Sequence, residues 1–104
     1  MIRRYIICFD RLTIEESKQV TNCLKEKKLY WWHWIDNIWF VVDKDGQYNA
    51  SEIRNSMKDI SPQRLIVIEM NEVTDTWAGV RAGDPEKKMF TWFKKVWKKK
   101  VFTS

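Results

Sequence analysis

The chain predicts an α+β fold of split βαβ type, in which strand, helix, strand, strand, helix and strand follow one another. Three observations carry that expectation. Capping boxes, Thr13 with Glu16 and Asn49 with Glu52, mark two helix starts. Two aromatic, β-branched runs, 30–35 and 38–42, are separated only by Asp36-Asn37, the spacing of a tight hairpin. Two further β-rich runs, "IRRYIICF" and "RLIVIEM", precede the first helix and follow the second.

Each element has its own grounds. Residues 2–9 place apolar side chains on both parities, as in a strand covered on two faces. Val20, Cys23, Leu24 and Lys27 recur at helical spacing after the Thr13 cap, which predicts a helix over 14–27. "DKDGQYN" reads as a loop. Asp43, Asp45 and Gly46 open like a calcium loop, but its closing glutamate is missing, so the segment is a turn. The Asn49 cap predicts a helix over 50–59, ended by Ser61-Pro62, and "RLIVIEM" is the fourth strand. This order is the ferredoxin-like βαββαβ arrangement, expected over 1–79.

Beyond "TDTWAGVRAGD", a loop with a turn of helix, Asp84-Pro85 supplies a cap and a first-turn proline. Over 86–99 a helical projection puts Met89, Phe90, Trp92, Phe93, Val96 and Trp97 on one side and the lysines on the other. Residues 80–104 are therefore expected to form a basic amphipathic helix packed on the same domain or its dimer mate. Phe90, Phe93 and Trp97 are the side chains expected to be buried. A membrane is not the expected partner, because a packed core needs such a face.

A chain of 104 residues supports one modest core. Its 44% hydrophobic and 14% aromatic content argues against disorder. The net charge of +5 is concentrated in "PEKKMFTWFKKVWKKK", which holds seven lysines and one glutamate. Cys8 and Cys23 have no metal or redox spacing and read as reduced core residues. The first apolar run is too short for a signal peptide and no segment could span a bilayer, so a cytoplasmic protein is expected. There is no P-loop, dinucleotide fingerprint or nucleophile elbow, which leaves nucleotide-dependent and serine-hydrolase chemistry without support.

The stretch "LYWWHWIDNIWFVV" holds four of the seven tryptophans. Tyr30, Trp32 and Trp34 alternate with Trp31, His33 and Ile35, so both faces of the sheet are apolar, and two crossover helices can cover only one. The C-terminal helix, a second copy of the chain or a ligand must cover the other. Trp31, Trp32, Trp34 and Trp39 are the candidate interface residues, and a homodimer is expected.

"WWHWIDNIWFVV", "SEIRNSMKDI", "RLIVIEM" and "WAG" together resemble the SinR-type small proteins, which belong with the CRISPR-associated small endonuclease and integration-adaptor proteins and the VapD ribonuclease toxins. The likeness covers about 2–79. It implies that Asp10, in "IICFD", is the strand-end aspartate that nuclease members pair with its symmetry copy around a divalent cation, magnesium or manganese. Such pairing suits a hard cation, which offsets carboxylate repulsion and activates water. Asp10 and His33, the only histidine, are then the candidate catalytic residues, with Asp10 also the metal ligand. Their other readings are a strand-terminal turn residue and a satisfied, partly buried histidine.

Arg3, Arg4, Arg64, Arg81, Lys94, Lys95, Lys98 and Lys99 are the residues expected to meet the phosphates of RNA or DNA. The leading expectation is thus a small homodimeric nucleic-acid-associated protein, with or without metal-dependent nuclease activity. The alternative is a non-enzymatic interaction protein, a phage-type inhibitor or antitoxin, that holds a protein partner with its aromatic surface.

Overall fold

The computed structural model describes residues 2–70 and 88–97, the side chains of Met89, Phe90 and Phe93 excepted. The elements are β1 (Arg3–Phe9), α1 (Ile14–Glu26), β2 (Tyr30–Ile35), β3 (Ile38–Asp43), α2 (Ala50–Met57) and β4 (Leu65–Met70). A short helix α3 (Lys88–Trp92) follows and continues as a π-helical turn, Phe93–Trp97. The fold is mixed α and β, with one antiparallel sheet of four strands in the order β2-β3-β1-β4.

The local chemistry behaves as its residues require. Thr13 accepts from the Glu16 amide at 3.0 Å while the Glu16 carboxylate accepts from the Thr13 amide at 2.9 Å. Asn49 and Glu52 exchange the same two bonds at 2.8 Å. Each pair satisfies two amides that a helix start would otherwise leave bare. α1 ends through Lys28, whose φ of 59° lies in the left-handed region, and Leu29 donates back to the Leu24 carbonyl. Gly46, at φ 64°, supplies the turn after β3.

The sheet has two faces built from alternate residues. Tyr5, Ile7 and Phe9 of β1 and Trp39 and Val41 of β3 pack against Val20, Leu24, Ile53 and Met57 of α1 and α2. Trp39 is at the centre, fully buried, with Phe9 edge-on at 6.1 Å and His33 stacked on it at 3.7 Å. The opposite face carries Ile6, Trp32, Phe40, Val42 and Met70, onto which Trp92, Val96 and Trp97 pack. Trp97 is buried, as expected, and Phe40 meets it edge-on at 5.6 Å. The cover on this face is the chain's own C-terminal segment, through Trp92, Val96 and Trp97. The expected burial of Phe90 and Phe93 falls outside the described side chains, as do the helix ends at 86–87 and 98–99. No helix among the described residues is long and apolar enough to cross a membrane.

Arg4 sits inside this second cluster, and its burial has a geometric reason. The guanidinium lies 5.4 Å from the Trp97 ring, and Nη1 donates to the Trp97 carbonyl at 3.5 Å. A cation over an indole that also donates to a carbonyl interacts favourably with both. Arg4 thereby ties β1 to the C-terminal segment.

Tyr5 gives a pH-dependent expectation. Its hydroxyl donates to the Tyr48 carbonyl inside the core. Burial, and then the charge of Glu69, push the phenol up to about 12. The ionised form is disfavoured only in the folded state. The contribution is therefore complete below the unfolded pKa near 10 and is lost as pH rises through 12. That loss is expected to reach about 2–3 kcal/mol. Urea unfolding across that alkaline range should show the decline in the wild type and less of it in Tyr5→Phe, which has no proton to release. Equal declines in the two would contradict the assignment.

Candidate functional site

Asp10 follows the last residue of β1, where the chain leaves the sheet. Its amide donates to the Arg64 carbonyl at 3.2 Å, and its own carbonyl accepts from the Asn37 side chain at 3.0 Å. The β2–β3 hairpin tip and the start of β4 thus hold it from either side. Its carboxylate accepts from Arg64 Nε at 2.6 Å. Both members face solvent, the Arg64 side chain at 91% exposure, so the pair adds little to stability. A pocket of about 410 Å³ adjoins it, lined by Cys8, Phe9, Asp10, Arg64, Leu65 and Ile66. Burial pushes the Cys8 thiol up, which keeps it protonated and disfavours a nucleophilic role there. Cys8 and Cys23 are unpaired with one another and both half-buried, at the margin of the core rather than within it.

His33 stands elsewhere. The pairs Trp32↔Phe40 and Ile35↔Ile38 leave His33 and Trp34 together opposite Trp39, a β-bulge with one extra residue on β2. The bulge breaks the strict alternation that the sequence suggests for 30–35. His33 Nε2 donates to the Asp36 carbonyl at 2.5 Å, which fixes the hydrogen on that nitrogen. The ring is partly buried and satisfied, stacked on Trp39. His33 and Asp10 line different grooves. Among the described residues no group of three or more His, Cys, Asp or Glu is arranged to hold a metal.

The candidate phosphate ligands separate by their surroundings. Arg3 is clamped by Glu69 through two bonds, at 2.9 and 2.8 Å. Arg4 is only 2% exposed and Trp97 lies over it, so the expectation that it meets phosphate is corrected: its charge is spent inside the protein. Arg64 is exposed but shared with Asp10. Lys94 and Lys95 are exposed, whereas Arg81, Lys98 and Lys99 lie outside the described residues.

Among the tryptophans, Trp39 is likewise corrected from interface to core, because β3 is an inner strand and its odd-numbered side chains face α1 and α2. Trp31 packs at the margin of that core, and Trp32 belongs to the cluster under Trp97. Trp34, in the bulge of the edge strand β2, is partly exposed.

Sequence reasoning passed over the polar side of α1. Ile14, Lys18, Thr21 and Lys25 fall at i, i+4, i+7 and i+11, a stripe beside the buried Val20 and Leu24. That spacing was visible, but only the fold sets it against His33. Comparison with protein-family models, curated proteins and solved structures gives no match to this chain.

Proposed function

We propose that the chain is a ferredoxin-like, homodimeric nucleic-acid-associated protein of the small endonuclease and integration-adaptor type. One observation carries the reading: among the described residues, the sheet face under Trp97 is covered at one end and exposed at the other. The exposed end holds Ile66 and Ile68, 57% and 44% exposed, with Cys8 and Ile38 half-buried between the strands. The Asp10–Arg64 pair stands at that same end. A second copy seated on this strip removes its isoleucines from water and brings two Asp10 carboxylates toward one another. Oxygen donors from two chains suit magnesium or manganese, which would supply an activated water when bound. Arg64 is then placed to exchange its carboxylate for a phosphate.

The test uses wild type and Asp10→Asn with single- and double-stranded RNA and DNA, with magnesium or manganese and then with chelator. The expected result is cleavage that both chelator and Asp10→Asn abolish, with stability altered by no more than about 1 kcal/mol, since the Arg64 pair is exposed. Cleavage surviving both treatments contradicts the role of Asp10. The alternative, a non-enzymatic inhibitor or antitoxin, is favoured by the carboxylate's existing bond to Arg64. Absence of cleavage under every condition supports it.

A further inference from the structure

Three of the arginines expected to contact phosphate are engaged within the protein, yet other cations are not. Arg11, Lys18 and Lys25 make no ion pair with any described residue. They meet along one feature. Two adjoining grooves of about 430 Å³ each, which share Ile14, Ser17 and His33, run between α1 and the β2–β3 hairpin. Lys18 and Lys25 line the first and Arg11 the second, where Asp36 is the one carboxylate among the lining residues. Between the lysines lie Thr21 and Asn22, short side chains that can donate hydrogen bonds.

We infer that this groove holds the phosphate backbone of a single-stranded nucleic acid, with Lys18, Lys25 and Arg11 meeting its phosphates. The inference rests on the nucleic-acid reading above and locates the surface that performs it. The spacing fits: seven residues of helix separate Lys18 from Lys25, about 10 Å, far enough apart for the two ammonium groups to meet different phosphates of one strand. Hydroxyl and amide groups between the cations are the side chains that bind phosphate and sugar oxygens without reading sequence. The room suits a segment of one strand rather than a duplex. His33, fixed by Asp36 and stacked on Trp39, gives the groove a rigid aromatic wall.

The experiment measures binding of the full chain to fluorescein-labelled oligouridylate and oligothymidylate by anisotropy over a series of salt concentrations. Wild type is compared with the triple variant Arg11→Gln, Lys18→Gln, Lys25→Gln and with a control at two exposed lysines outside the groove, Lys44→Gln, Lys58→Gln, all checked for native circular dichroism. The triple variant is expected to bind about tenfold or more weakly, with a log–log salt slope shallower by about two, the share of three single-strand phosphate contacts. The control should stay close to wild type. A triple variant with unchanged affinity and slope overturns the inference while leaving the nucleic-acid reading standing. Wild type that binds neither oligonucleotide at low salt overturns both. Polyglutamate that binds as tightly, with the same loss in the triple variant, overturns the assignment to nucleic acid.

Discussion

Trp39→Ala is expected to lower stability by about 3–5 kcal/mol, the range for emptying a buried tryptophan site. Domains of this size are typically stable by only about 5–15 kcal/mol, so much of the fold's margin is at stake. The reason is position. Trp39 is fully buried on an inner strand, between Phe9 and the His33 ring, over the residues that α1 and α2 contribute to the core. Its indole N–H finds no hydrogen-bond partner among the described residues. Trp39→Phe removes that unsatisfied donor while keeping most of the ring, and should cost much less than the alanine variant. Urea unfolding of the three proteins measures the difference as shifts in midpoint at unchanged slope. Equal losses for phenylalanine and alanine would contradict this placement.

Trp97→Ala is expected to release the C-terminal segment from the sheet. The lost ring burial amounts to about 3 kcal/mol, but the consequence is local before it is global. Trp97 covers Arg4, Phe40 and Val42, and its carbonyl accepts from Arg4. Without the ring, the described contacts of the segment with the sheet are reduced to Trp92, Val96 and the Arg4 bond to the backbone, so undocking limits the loss to its docking free energy. The exposed cluster around Ile6, Phe40 and Val42 should then bind a hydrophobic dye. Hydrogen exchange should quicken in 88–97 while the β1 and β3 amides stay protected. Unchanged exchange in that segment would show that Trp97 does not hold it down.

The sequence made the frame legible because the frame is local. Thr13 with Glu16, and Asn49 with Glu52, are complete devices within four residues, and both form. The two-residue hairpin at Asp36-Asn37 appears in the pair Ile35↔Ile38. The site was less legible because it depends on strands distant in sequence. Arg3 meets Glu69 across 66 residues, and Arg64 meets Asp10 across 54. Charges counted from composition therefore overstate what remains for a partner. Sequence alternation also misses the bulge at His33 and Trp34, since an inserted residue carries no signature of its own. Trp39 was hard to place for another reason. A tryptophan in an aromatic run suits a core as well as a surface, and strand order decides between them.

The central claim, a homodimer that binds a nucleic-acid strand, is tested most directly by one light-scattering measurement of the full chain at low salt, alone and with a short single-stranded oligonucleotide. The account predicts the mass of two chains alone, and of two chains plus bound strand when the oligonucleotide is present. A single chain that elutes apart from the strand would contradict it.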